Sequence, residues 1–237
     1  MPNPYFQFKQ FTVQHDQCAM KVCTDSCILG AWFAQKIRPH TFILDVGAGS
    51  GVLMLMLAQK IKSQIHGIEL DLASFRQLKE NINHCNWKDK MRIFIGDART
   101  FVFPEKYDFI ISNPPFYEND LKSPDERLNI ARHANDMTLA DLLSTISANL
   151  TKDGSFGILL PYKRTEEFEK LALKKGFHLS EKLFVRQSPK HNFFRSILHF
   201  TRLKVDPVAS HELTIQGEAG KYSPEFVDLL KDYYLHL

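Results

Sequence analysis

Asn113-Pro114-Pro115-Phe116 places two hydrogen-bond acceptors and an aromatic ring within four positions. The tetrapeptide follows the apolar run Tyr107-Asp108-Phe109-Ile110-Ile111-Ser112, so a strand ends where two prolines stop it. Neither proline has an N–H and each presets φ, which makes the corner stiff. The Asn113 Oδ1 and the Pro114 carbonyl can accept from the two N–H bonds of an exocyclic ring amine. The Phe116 ring offers a wall on which a flat ring can stack. An aromatic amine is a poor nucleophile because its lone pair is delocalised, and acceptors at both N–H bonds aim that pair outward. The same four residues could also close an ordinary strand, and the upstream chain decides between the two.

Positioning such a corner takes a sheet. Residues 42–46 form a short apolar run bounded by glycines, as a buried strand does. Residues 52–60 are apolar nearly all round and fit a helix packed on a sheet. Strands are expected at 65–69, 91–95, 107–112 and 155–160, and helices at 72–83 and 138–150. This alternation predicts an α/β fold with a parallel sheet and helices on both faces. After Pro161 the rhythm changes: a helix over 166–175 precedes strands at 179–185 and 194–203, joined by a loop too short for a crossover. Those two must pair antiparallel. The result is a seven-stranded, mostly parallel sheet ending in an antiparallel hairpin, and it resembles the Rossmann-like class I methyltransferase fold. Residues 1–35 are expected as an extension carrying a short strand over 6–8, extended by 11–13, and a helix over 19–33 entered at Thr24, Asp25 or Ser26 as cap. Residues 36–205 make the core, and 206–237 dock on it with a turn at 217–220 and a helix over 224–234.

Four strand ends carry polar groups at one edge, where open α/β sheets bind ligands. Asp45 precedes the turn Gly47-Ala48-Gly49-Ser50-Gly51, whose glycines let backbone approach a ligand closely. An acid there suits the ammonium of S-adenosylmethionine and would repel a pyrophosphate. The even glycine spacing also departs from the dinucleotide pattern. Glu69, followed by Leu70, can accept both ribose hydroxyls. Asp97 can accept from the adenine amine, and Ala98 offers a backbone N–H to the ring. Asn113 completes the set.

Asp45-Val46-Gly47-Ala48-Gly49-Ser50-Gly51 together with Asn113-Pro114-Pro115-Phe116 resembles the amino-group methyltransferases of adenine N6, guanine N2 or a glutamine amide. Further matches are Phe8-Lys9-Gln10-Phe11, Cys18-Ala19-Met20-Lys21-Val22 running on to Trp32, Ala131-Arg132, and Tyr222-Ser223-Pro224-Glu225-Phe226. With these the chain resembles, over nearly its whole length, the bacterial tRNA1(Val) (adenine(37)-N6)-methyltransferase family. The resemblance implies N6-methylation of the adenine just 3′ of the anticodon of a valine tRNA. It also implies that Lys21, Thr24 and Asp25 cover the methionine end of the cofactor. That family usually shows glycine where this chain has Cys23 and Ser26, so a positive φ at either would be strained. Phe116 stands where Tyr is often found and keeps the stacking face. Two other outcomes fit the motifs: methylation of a guanine N2 in rRNA or of a protein glutamine, and a catalytically silent protein that binds the cofactor and RNA.

Charge fits an RNA partner. The net charge of +3 is small, but residues 163–195 hold nine Lys/Arg against four Glu, with Phe184, Phe193 and Phe194 interleaved. RNA-phosphate contacts are expected from Lys163, Arg164, Arg186, Lys190 and Arg195. Others are expected from Lys122, Arg127, Arg132 and His133 in a lid over 118–134. No apolar run approaches a membrane span and no charged-then-apolar leader opens the chain, so a cytoplasmic monomer is expected. Cys18, Cys23 and Cys27 lack the spacing of structural zinc sites, and neither a metal nor a dedicated base is expected.

Overall fold

The computed structural model describes residues 3–115, 137–217 and 220–237. The chain opens with an antiparallel pair, β1 (Tyr5–Gln7) and β2 (Thr12–Gln14). Phe8 and Phe11 beside it are buried and stack at 4.5 Å between ring centroids. Helix α1 (Thr24–Ala34) begins five residues later than expected. The reason is local: Cys23, at φ −127°, is extended and takes the cap position, and its N–H donates to Ser26 Oγ at 3.4 Å. Neither Cys23 nor Ser26 has a positive φ, so the absence of glycine there strains nothing.

The core follows the alternation the apolar runs predict: β3 (Ile43–Val46), α2 (Val52–Lys60), β4 (Ile65–Glu69), α3 (Leu72–Asn83), β5 (Met91–Ile95) and β6 (Tyr107–Ser112). It continues with α4 (Leu139–Asn149), β7 (Leu150–Pro161), α5 (Thr165–Lys174), β8 (His178–Arg186) and β9 (Phe193–Thr201). Strands β3 to β7 run parallel, and β9 pairs antiparallel with both β7 and β8. The sheet has eight strands rather than seven, because β10 (Ala209–Thr214) adds parallel to β8 at the edge. Of its residues only Leu213 is buried, and a polar edge strand lacks the apolar run that marks the others. Strand β7 likewise starts earlier than its apolar part, since Lys152 and Asp153 are exposed.

Side chains alternate across the strands and build two cores. On one face Ile43, Phe109, Ile111 and Leu159 pack with Phe33 of α1 and with α2 and α3. On the other, Leu44, Val46, Ile110 and Ile158 pack with Leu142 of α4 and Phe168 of α5. Burial on both faces is why these strands read as continuous apolar runs. Gly157 on β7 shows how closely α1 approaches: a Cβ there would sit 2.3 Å from the Phe33 ring. Phe33 is fully buried, so the clash has no easy relief. Gly157→Ala is expected to cost roughly 1–3 kcal/mol, read as a lower urea midpoint at unchanged slope.

The helix of the last segment is shorter than the expected 224–234. Helix α6 (Pro224–Leu230) is capped by Ser223, whose Oγ accepts the Phe226 N–H at 3.1 Å. The chain then turns so that the Tyr233 hydroxyl donates to the Met56 carbonyl at 3.1 Å, and Lys9 N–H donates to the Tyr233 carbonyl at 2.8 Å. The two ends of the chain thereby brace each other against α2. No helix among the described residues is long and apolar enough to cross a membrane.

Candidate active site

The parallel strands β3, β4, β5 and β6 bring their carboxyl ends to one edge, over a cavity of about 460 Å³. After β3 the chain turns through Gly47, Gly49 and Gly51, with φ of 76°, 54° and 84°. A Cβ at Gly47 or Gly49 would meet no atom within 4 Å, so these two present bare backbone to open space. Gly51 has a different duty. A Cβ there would lie 2.5 Å from Leu78 Cδ1, so this glycine lets α2 start against α3 rather than lining the cavity. Ala48 is buried, and its N–H donates to the Ile68 carbonyl at 3.0 Å.

Glu69 locks the turn. Its Oε2 accepts the Gly49 N–H and its Oε1 the Asp71 N–H, both at 2.8 Å. Each carboxylate oxygen has a further lone pair, so the group keeps acceptor capacity toward the cavity it lines. Asp97 also lines the cavity, and Arg99, another lining residue, grips it with Nη2–Oδ2 at 2.6 Å and Nε–Oδ1 at 3.0 Å. These bonds hold the Asp97 carboxyl below its ordinary pKa, so the acid stays ionised. Leu70 and Ala98 also line the cavity.

At this edge two buried side chains, Asn113 in the cavity wall and Asp45 outside its lining, carry acceptor oxygens with no hydrogen-bond partner among the described residues. Asp45 is fully enclosed, and neither carboxyl oxygen is bonded. Burial, with the Glu69 charge adding to it, pushes its pKa from 3.8 to about 8. Asn113 is 9% exposed, and its Oδ1 is likewise shielded and unpaired. Ser112 fixes this corner by donating from Oγ to the Val46 carbonyl at 2.8 Å, which ties the ends of β6 and β3 together. Pro114 and Pro115 continue the cavity wall. A buried unpaired acceptor is costly, so a site with two of them is built for a ligand that brings donors.

Other expected residues fall elsewhere. Lys21, Thr24 and Asp25 do not line the cavity: Lys21 and Thr24 are exposed, and Asp25 Oδ2 accepts from Arg195 Nε at 2.7 Å. That ion pair also turns Arg195, expected on RNA, toward holding α1 on β9. Arg164 pairs with Glu167 at 2.9 Å, and Arg186 bonds Thr214 Oγ1 at 2.8 Å and reaches Glu212 at 3.3 Å. Lys163 and Lys190 are exposed. Phe116, Lys122, Arg127, Arg132 and His133 lie outside the described residues. The wall formed by Cys18, Ala19, Met20, Leu72 and Met137 had no signal as lining, since apolar residues beside a helix start look like core.

Comparison with known proteins agrees with this geometry. Residues 20–172 match the family model described as the methyltransferase small domain. The tRNA1(Val) (adenine(37)-N6)-methyltransferase of Dyadobacter fermentans is 39% identical over 98% of both chains. The enzyme of the same name from Phocaeicola vulgatus is 37% identical over the full length of both. Among solved structures, a predicted O-methyltransferase from Agrobacterium tumefaciens superposes with a TM-score of 0.68 at 14% identity, covering 88% of this chain and 96% of that one. P. horikoshii TYW2 in complex with MeSAdo gives 0.56 at 17% identity, covering 84% and 71%. These likenesses show a shared fold. From its family model and its full-length relatives, the chain belongs to the methyltransferase small-domain family and, within it, to the tRNA1(Val) (adenine(37)-N6)-methyltransferases.

Proposed function

We propose that the chain transfers a methyl group from S-adenosylmethionine to N6 of the adenine next to the anticodon of a valine tRNA. The observation that carries this is the Asn113 Oδ1, buried and unpaired on a proline-locked corner at the rim of the cavity. The cavity fits the cofactor. Gly47 and Gly49 leave open space beside bare backbone, Glu69 and Asp97 have acceptor capacity for ribose hydroxyls and an adenine amine, and Asp45, enclosed two residues before Gly47 rather than lining the cavity, is an orphaned acid suited to an ammonium that reaches it.

S-Adenosylmethionine supplies, when bound, an electrophilic methyl on a sulfonium. The protein's own contribution is positioning. The Asn113 Oδ1 and the Pro114 carbonyl accept from the two N–H bonds of the target amine and draw its nitrogen toward sp³, so the lone pair is free to react. Positive charge develops on that nitrogen as the sulfonium would become a neutral thioether, and the two fixed oxygens stabilise it without reorganising. One N–H proton is then lost to solvent to give the neutral methylated amine. Near-attack alignment at roughly 3–3.5 Å accounts for most of the rate gain, so no metal and no separate base need take part. The prolines keep the corner from relaxing away from the base. Phe116, which follows Pro115 in the sequence, is proposed to supply the ring on which that base stacks. An adenine in a single-stranded loop leaves its stack at low cost, which suits an anticodon loop.

Incubation with unmodified tRNA, rRNA and protein fractions in the presence of labelled cofactor tests the assignment. The expected product is N6-methyladenosine beside the anticodon of one valine tRNA, mapped by mass spectrometry. Label appearing instead in guanine N2 or in a glutamine amide would overturn it.

A further inference from the structure

Strand β7 ends at Pro161, which pairs with Arg195 of β9, while Ile158 of the same strand pairs with Ser112 of β6. Tyr162 therefore leaves the sheet at the same edge as Asn113, on the neighbouring strand. Its ring meets that of Phe184 edge-on at 5.0 Å and that of Phe193 at 5.5 Å, and the latter two lie 5.5 Å apart. Tyr162 is 40% exposed, and Phe184 and Phe193 are half-buried. Phe194, by alternation, packs instead against the core on the opposite face. Cations lie over one face of two of the rings: Lys182 Nζ is 5.2 Å from the Phe184 ring centroid and Arg186 Cζ 5.2 Å from the Phe193 ring centroid, and neither covers Tyr162. Lys190 is exposed on the loop between β8 and β9.

We propose that Tyr162, Phe184 and Phe193 form a stacking platform for an unpaired base of the substrate RNA, adjacent to the base being methylated. This rests on the RNA reading of the site given above. Flipping an adenine out of a loop leaves its neighbour without a stacking partner, and aromatic rings flanked by cations are how proteins hold single-stranded nucleic acid. The platform lies one to three strands from Asn113, roughly 5–15 Å at strand spacing, within reach of a nucleotide next to the target. Lys182 and Lys190 supply the charge that the flanking phosphates require, while Arg186, paired with Glu212, braces the Phe193 ring. Any base can occupy such a surface, so the platform adds affinity and leaves the choice of target to the Asn113 corner.

Binding of a labelled anticodon stem-loop to the full chain, followed by fluorescence anisotropy across a salt series, tests this. Tyr162→Leu keeps apolar volume but removes the π-face, and is expected to weaken RNA binding roughly tenfold or more. Its slope of log Kd against log salt should match wild type, whereas Lys190→Ala should lower the slope by about one. Tyr162→Phe should bind RNA as wild type does, and both Tyr162 variants should keep the wild-type affinity for S-adenosylmethionine. Wild-type RNA affinity in Tyr162→Leu, or equal losses in the Leu and Phe variants, would overturn the platform alone. Failure of the wild-type chain to bind the stem-loop would overturn the RNA reading and the platform with it.

Discussion

Asn113→Ala should lower kcat by about 10²- to 10³-fold, with the loss falling on turnover rather than on cofactor affinity. The Asn113 Oδ1 is buried and unpaired, so the bond it makes to the target amine is new and strengthens as charge develops. An interaction that grows toward the transition state appears in kcat. Asn113→Asp keeps an oxygen acceptor at the same position and should retain more turnover than Ala. Single-turnover rates at saturating RNA and cofactor read this directly. Wild-type turnover in the Ala variant would remove Asn113 from the chemistry.

Asp45→Asn should separate stability from binding. The folded chain holds a proton on Asp45 up to about pH 8, against an ordinary value of 3.8, because the carboxyl is enclosed without a donor. Between those limits the folded state binds more protons than the unfolded state, so stability declines as pH rises through that window. At still higher pH the full penalty is present, on the order of a few kcal/mol. The ligand-free wild type should therefore lose Tm from pH 5 to pH 8, and the Asn variant should show a flatter profile and a higher Tm at pH 8. Cofactor binding should move the other way. An ionised Asp45 facing an ammonium is a charge-assisted pair, and its loss should weaken binding roughly tenfold or more. The wild-type affinity should rise with pH up to about 8 as less work is needed to remove the proton. Parallel Tm profiles in the two proteins would show that Asp45 carries no such penalty.

Much of this was legible in the residues because burial leaves a pattern. Strands β3, β4 and β6 are covered on both faces, so Ile43, Leu44, Ile68, Ile110 and Ile111 fall in apolar runs, with glycine marking the end of β3 and proline that of β6. The polar residues at or just past the ends of these runs are Asp45, one before Val46, Glu69, and Asn113, one after Ser112, with Asp97 one step beyond Gly96. What stayed hidden depends on contacts between distant parts of the chain. Strand β10 is a polar edge whose only strong cue is its pairing with β8. Asp25 meets Arg195 across 170 positions, and no local pattern announces such a pair. Arg99 presents the opposite case: it lies two residues from Asp97, but whether it clamps that acid or extends into water depends on side-chain geometry. Gly51 was grouped with its neighbours by spacing alone, although the Leu78 side chain rather than a ligand explains it.

The central claim is that one proline-locked amide oxygen receives the amine that becomes methylated. A crystal structure of the protein with S-adenosylhomocysteine and an anticodon stem-loop measures it most directly. The expected result is an Asn113 Oδ1 to adenine N6 separation within hydrogen-bond range, about 2.7–3.2 Å, with the second N–H directed at the Pro114 carbonyl. An adenine seated in the cavity while the Asn113 amide turns away toward the protein interior would contradict it.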